Sequence, residues 1–70
     1  MKTELLIKFG NRVRELRRLK GLSQENLAHK ASMHRTYIGM IERGEKNITL
    51  ININAISKAL EIEISELLTF

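Results

Sequence analysis

Apolar residues recur along this chain with the spacing of amphipathic helices. The first pattern covers residues 3–20, where one stripe is formed by Leu6, Phe9, Val13 and Leu16. Further patterns cover residues 24–31, 35–43 and 50–60, followed by a short apolar tail. The chain has no proline and only four glycines. We therefore predict an all-α fold, with five helices in one compact domain over residues 1–70.

Capping residues and small residues refine this outline. Ser23 is predicted to cap the second helix, Thr49 the fourth and Ser65 the last turn. Ala28 lies on the apolar face of the second helix, where a small side chain predicts that another helix approaches closely. Gly10 lowers the helix propensity of the first helix and predicts a second close contact.

The net charge is +4, and the positive residues are concentrated in one part of the chain. Residues 1–46 carry eleven Lys or Arg and five Glu, whereas residues 47–70 carry one Lys and three Glu. A basic body with a mildly acidic tail is suited to binding phosphate. Charge alone leaves two other interpretations open: a solvated basic face, and a helix over residues 3–20 that lies on a membrane surface.

Several classes of protein are disfavoured by the composition. The absence of cysteine excludes a disulfide framework and a thiolate metal site. Glu4 and Lys8 interrupt the apolar start, so we predict neither a signal peptide nor a membrane span. The expected location is the cytoplasm.

Catalytic and metal-binding signatures are weak. His29 and His34 lie five residues apart, without a third ligand or an HExxH pattern. Ser32 lies near His34, but no carboxylate is placed to orient the imidazole. The chain also lacks aspartate and a glycine-rich phosphate loop. We therefore predict that the protein is not an enzyme and that it has no metal, cofactor or small-molecule ligand.

Residues 24–43, QENLAHKASMHRTYIGMIER, read as two short helices joined by a tight turn. This is the pattern of a helix-turn-helix, whose second helix enters the DNA major groove. The second helix is predicted to expose Thr36, Gly39, Met40 and Arg43, with Arg35 and Tyr37 at the edges. The base-reading candidates are Arg35 at guanine, and Thr36 and Met40 at the thymine methyl or mixed sites. A solvated Arg35, and a Met40 that only covers the helix junction, remain alternatives.

The same stretch resembles the Cro/C1-type helix-turn-helix family of phage repressors and bacterial regulators. The family's apolar and small places are filled by Leu27, Ala28, Ala31, Met33, Ile38 and Ile41. The flanking runs VRELRRLKGLSQENLA, IERGEKN, ISKAL and SELL also fit, so the resemblance covers nearly the whole chain. It implies a five-helix, lambda-repressor-like DNA-binding domain.

Within the family, RTYIGMIERGEKNITL is most similar to the controller proteins of restriction–modification systems. That resemblance implies a small homodimer that binds operator DNA near its own gene and regulates transcription. It also implies a bacterial or phage regulator associated with the nucleoid. Activation and repression both remain open.

Three residues depart from the family pattern. Ser32 stands where glycine is usual, so the turn must form without glycine's conformational freedom. His34 stands where a serine or threonine cap is common, which predicts that the third helix starts less firmly. Glu61 replaces the glycine that is common after the fourth helix.

Other residues are expected to contact the DNA backbone or to hold the helices. Gln24 opens the second helix, where the family uses a glutamine for a phosphate contact. Further backbone contacts are predicted from Tyr37, Arg43, Lys46 and Asn47. An ordinary half-buried ring remains the alternative for Tyr37. Arg17 and Glu42 resemble the family's salt bridge between the first helix and the recognition helix.

Partner surfaces are predicted from the remaining apolar and acidic residues. Ile51, Leu68 and Phe70 are the candidates for a homodimer interface, which would set half-sites about 34 Å apart. If the bound protein recruits RNA polymerase, the acidic contact is predicted at Glu25 or Glu42. A rival function is an antitoxin or adaptor that mainly binds another protein. We expect such a protein to carry a further partner-binding segment, and this sequence ends at Phe70.

Overall fold

The computed structural model describes residues 3–70, and these residues form helices without strands. The helices are α1 (Glu4–Leu19), α2 (Gln24–Lys30), α3 (Arg35–Glu42), α4 (Leu50–Ala59) and α5 (Ile64–Leu67). Helix α3 packs against both α1 and α2, while α5 lies against α4 and α1. The predicted all-α class and the five helices are confirmed.

Two of the three predicted helix caps form. The Ser23 hydroxyl accepts a hydrogen bond from the backbone N–H of Asn26 at 3.0 Å, and the Thr49 hydroxyl accepts one from Asn52 at 3.1 Å. The predicted cap at Ser65 is wrong. Helix α5 begins at Ile64, so Ser65 lies inside the helix, and its carbonyl accepts the hydroxyl of Thr69 at 2.7 Å.

His34 was predicted to give the third helix a less firm start, and in the structure it caps that helix. His34 occupies the N-cap position of α3, with extended backbone angles. Its Nδ1 accepts a hydrogen bond from the backbone N–H of Thr36 at 3.1 Å. An imidazole nitrogen therefore replaces the serine or threonine oxygen that usually makes this bond.

Two turns adopt left-handed backbone conformations without glycine. Ser32 has φ of 57° and Glu61 has φ of 60°. Ser32 follows the C-cap of α2, and the next N–H, that of Met33, bonds to the carbonyl of Ala28 at 2.8 Å. This is the hydrogen-bond pattern of a Schellman motif, in which glycine is usual because a Cβ atom is strained there.

One cluster of apolar side chains forms the core. Its buried members are Phe9, Val13, Leu16, Leu27, Ala28, Ala31, Ile38, Ile41, Ile56, Leu60 and Leu67. Leu6 and Met33, both predicted to point inward, are half-buried, and Met33 packs against this cluster. Because most of the apolar stripe of α1 is buried here, the membrane-surface interpretation of residues 3–20 loses its basis. Within the described residues, no helix is long and apolar enough to cross a membrane.

The predicted close contact at Gly10 joins α1 to the end of α3. Gly10 is buried, and a Cβ atom placed on it would overlap the carbonyl oxygen of Ile41. The same atom would lie 2.7 Å from the carbonyl oxygen of Glu42. The two backbones therefore approach so closely that only glycine fits between them.

Candidate nucleic-acid interface

The N-terminal turn of α3 presents two unconstrained side chains. Arg35 and Thr36, its first two residues, are both exposed. Within residues 3–70, no hydrogen bond or ion pair occupies the Arg35 guanidinium or the Thr36 hydroxyl. Both can therefore meet base edges without first breaking a contact within the protein. Met40, the third base-reading candidate, lies further along α3 and is half-buried.

Tyr37 is held in place by a residue that the sequence did not indicate. Its ring is half-buried, and its hydroxyl accepts a hydrogen bond from Nδ2 of Asn52 at 3.1 Å. The hydroxyl proton remains available for a phosphate oxygen. Asn52 lies fifteen residues further along the chain, on α4. No local sequence signal marks such a pair, because the fold alone brings the two residues together.

Gln24 and Arg43 both lie close to Gly39. A Cβ atom on Gly39 would lie 3.6 Å from Oε1 of Gln24 and 3.1 Å from Nη1 of Arg43. Gly39 is buried, so the prediction that it belongs to the exposed face is wrong. Arg43 is exposed and forms an ion pair with Glu45 at 3.1 Å. A phosphate at Arg43 therefore competes with a carboxylate that is already present.

Lys46 and Asn47 lie in the segment between α3 and α4, and both are exposed. This segment follows the C-terminal end of the recognition helix. Polar side chains at such a position can contact the DNA backbone without entering the groove.

Glu42 is the centre of the polar contacts beneath the interface. It is 1% exposed, and Nε of Arg17 lies 2.6 Å from its Oε2. Nη2 of Arg17 donates to Oε1 at 3.1 Å, so the pair is bidentate. Gln24 donates to the same Oε1 at 3.0 Å. The implied link between α1 and the recognition helix is thus present in the structure.

These contacts keep Glu42 ionised. Burial disfavours the charged carboxylate, but the hydrogen bonds from Arg17 and Gln24, the charge of Arg17 and the contact with Arg14 together outweigh it. The pKa of Glu42 is therefore lowered from its ordinary value. Because Glu42 is buried, its candidacy as an acidic contact for RNA polymerase is wrong. Glu25 is exposed and keeps that candidacy.

The three predicted dimer residues are exposed, and two of them line one cleft. Leu68 and Phe70 line a cleft of about 140 Å³ with Leu5. The Phe70 ring also packs edge-on against Phe9, with 6.4 Å between ring centroids. Ile51 lies outside this cleft, on α4, and is 81% exposed.

Comparison with known proteins identifies the family. The sequence profile described as "Helix-turn-helix" matches residues 13–67. The chain belongs to this family. The control protein C.BamHI of Bacillus amyloliquefaciens is 46% identical over 71 residues, which cover 100% of this chain and 88% of that protein.

Solved structures of controller proteins have the same fold as this helix-turn-helix chain. The restriction–modification controller protein C.AhdI from Aeromonas hydrophila has 53% identity and a TM-score of 0.87, covering 89% of this chain and 94% of that one. Wild-type C.Esp1396I, another restriction–modification controller protein, has 37% identity and a TM-score of 0.87, covering 96% and 91%. The predicted family resemblance and DNA-binding regulatory function are confirmed, as is the prediction that the protein is not an enzyme.

Proposed function

We propose that this DNA-binding regulator acts as a homodimer on operator DNA and controls a restriction–modification system. In this proposal residues 1–70 act as one DNA-binding domain, of which residues 1–2 lie outside the described part of the structure. The protein works in the cytoplasm, bound to the nucleoid. The similarity to controller proteins, over 100% of the chain for C.BamHI and 89% for C.AhdI, supports the proposed system.

The observation that carries the proposal is the unoccupied polar surface at the start of α3. Arg35 offers a guanidinium that can donate two hydrogen bonds to O6 and N7 of guanine. Thr36 and Met40 add contacts to the neighbouring bases. Because these are few side chains, a second subunit is needed to raise discrimination between operator and other DNA.

Backbone contacts set the register of α3 in the groove. The proposed contacts are Gln24, Tyr37, Arg43, Lys46 and Asn47. Tyr37 is supported by its bond from Asn52, which fixes the ring while leaving the hydroxyl proton free. Lys46 and Asn47 are supported by their exposure beside the end of α3.

Dimerisation is proposed through Ile51, Leu68 and Phe70. Exposed isoleucine and phenylalanine side chains of this size are costly in water, and a two-fold interface removes them from solvent. Ile51→Glu is expected to yield a monomer in sedimentation experiments and to weaken operator binding. A dimer of wild-type affinity in that variant excludes Ile51 from the interface.

The decisive experiment is selection of bound sites from random DNA. The proposal predicts a palindrome whose half-sites lie about one helical turn apart. An antitoxin or adaptor that uses this fold mainly to bind proteins would enrich no such sequence. Failure to enrich any site therefore contradicts the proposal.

Two variants then separate base reading from backbone contact in gel-shift assays. Arg35→Ala is expected to bind selected and scrambled DNA equally, while its unfolding midpoint stays unchanged. Lys46→Ala is expected to lose affinity for both DNAs, with a salt slope shallower by about one unit. Retained discrimination in Arg35→Ala would remove Arg35 from the base-reading set.

Recruitment of RNA polymerase is proposed through Glu25. This residue lies in the first turn of α2 and is exposed. In transcription with purified polymerase, Glu25→Gln is expected to bind the operator normally but to lose activation. Unchanged activation by that variant argues against the contact.

A further inference from the structure

Arg14 has no role in the interface described so far, but the structure places it beside Gln24. Its Nε lies 3.4 Å from Oε1 of Glu42, the oxygen that also accepts the Gln24 amide at 3.0 Å. Its Nη2 donates to the main-chain carbonyl of Glu42 at 3.3 Å. Arg14 therefore reaches from α1 to the C-terminal end of the recognition helix α3.

Arg43 completes the arrangement. Arg43 and Gln24 both lie close to Gly39, and Gln24 and Arg14 both contact Oε1 of Glu42. We call these three residues, Arg14, Gln24 and Arg43, the anchor cluster. Two of them are already proposed as DNA-backbone contacts.

The charges around Glu42 do not balance. Arg14 and Arg17 face one carboxylate, so a positive charge remains after pairing. Arg17 makes the shorter contacts, at 2.6 and 3.1 Å, and its side chain is 10% exposed. The contacts of Arg14 are longer, and its side chain is 34% exposed. The surplus charge therefore reaches solvent at Arg14.

The guanidinium of Arg14 also keeps free donors. Its Nε and Nη2 are directed to Glu42, whereas Nη1 makes no hydrogen bond within the described residues. A guanidinium presents its N–H groups in a planar fork that suits phosphate oxygens. An arginine that only neutralised the charge of Glu42 would need neither an exposed side chain nor a free Nη1 group.

We propose that Arg14 is a further DNA-backbone contact, which binds a phosphate next to the one bound by Gln24 and Arg43. The inference rests on the proposed binding of operator DNA. In the bound state Arg14 keeps its contact with Glu42 and donates its free N–H groups to the phosphate. Helix α1 thereby contributes directly to DNA affinity, in addition to supporting α3.

The test measures how the dissociation constant for selected DNA depends on salt concentration. Arg14→Gln keeps polar donors near Glu42 and removes the charge. Each phosphate contact contributes about 0.9 to the slope of log K against log salt, so the slope is expected to become shallower by about that amount. The affinity gap to the wild type then narrows by roughly 3.5-fold when salt rises fourfold. Scrambled DNA is expected to show the same loss.

Two controls separate this role from a structural one. Lys8→Gln removes one charge from the same helix, but Lys8 faces Arg12 and Phe70 on another side of α1. Its salt slope is expected to match the wild type. Arg14→Lys keeps the charge and is expected to restore the slope even if the bonds to Glu42 are weakened.

An unchanged slope in Arg14→Gln overturns the inference, even if affinity falls, because a structural defect lowers affinity without removing a counterion-releasing contact. A slope that is equally shallow in Arg14→Lys also overturns it. If the wild-type protein selects no DNA, the proposed function fails as well. That outcome differs from one in which the wild-type protein binds DNA and the Arg14→Gln variant binds it with the same salt slope, which contradicts only the role of Arg14.

Discussion

Gly10 offers a sharp test of how α1 positions the recognition helix, because two effects of Gly10→Ala oppose each other. Alanine in a helix interior is more favourable than glycine by about 0.5–1 kcal/mol. In the fold, however, the new methyl group overlaps the carbonyl oxygen of Ile41. It also lies 2.7 and 2.9 Å from the carbonyl oxygen and carbon of Glu42. These are backbone atoms, which cannot rotate away as side chains do.

The steric effect is expected to win. A carbon and an oxygen in ordinary contact are about 3.3–3.6 Å apart. Helices α1 and α3 must therefore separate by roughly 1 Å, which loosens the core around Val13 and Ile38. Overpacking of this kind costs about 1–3 kcal/mol. After the helix-propensity gain is subtracted, the net loss is up to about 2.5 kcal/mol. A domain of this size loses roughly 4–8 °C in Tm for each kcal/mol.

Urea unfolding followed by circular dichroism measures the loss, and gel shift measures its effect on α3. Gly39→Ala is the matched control, because its Cβ would meet only the flexible ends of Arg43 and Gln24, at 3.1 and 3.6 Å. That variant is expected to keep or gain stability. It is also expected to bind DNA less tightly, because the added methyl group displaces Arg43 and Gln24, which are proposed to contact phosphates. A Gly10→Ala protein as stable as the wild type refutes the close-contact argument.

Three further predictions concern single positions. The pKa of Glu42 is lowered in the fold, so the stability that Glu42 contributes is present above its unfolded pKa and is lost as pH falls through the folded pKa. In Glu42→Gln the free energy of unfolding is therefore expected to fall less steeply at acidic pH than in the wild type. An equally steep fall in the two proteins contradicts this. Glu61 has a left-handed φ of 60°, which strains a residue with a Cβ atom. Glu61→Gly is therefore expected to raise the free energy of unfolding, measured by urea titration, by up to about 1 kcal/mol. A lower free energy of unfolding in that variant counts against strain at this position. His34→Ala removes the hydrogen bond that caps the N–H of Thr36, and it is expected to lower the free energy of unfolding by about 0.5–2 kcal/mol. His34→Asp is expected to restore that stability. If the wild type and both variants are equally stable, the imidazole bond contributes nothing.

The sequence predicted features that depend on neighbouring residues or on periodicity. The helix order follows from apolar spacing, and the cap at Ser23 needs only residues three positions apart. The cap at His34 was missed because imidazole is an unusual cap, although its bond to Thr36 is local. Ser65 was mistaken for a cap because the apolar tail is too short to show where its helix begins.

Contacts between segments that are distant in the sequence were harder to predict. Gly10 signalled a close approach but not its partner. The bond from Asn52 to Tyr37 and the approach of Arg14 to Glu42 each depend on how two helices pack. Neither residue type is informative without that packing, because an asparagine and an arginine on a helix surface are ordinary solvated residues. The charge imbalance at Glu42 likewise becomes visible only when both arginines are known to reach it.

The two ends of α3 are held very differently, and this bears on how specificity can change. The C-terminal end is fixed to α1 by the backbone contact at Gly10 and by the ion pair of Arg17 with buried Glu42. The N-terminal end carries Arg35 and Thr36 on an exposed surface, with a single imidazole cap behind them. Substitutions at the exposed end can alter which bases are read while the angle of α3 in the groove stays fixed. Substitutions at the buried end must change that angle, and therefore every contact at once.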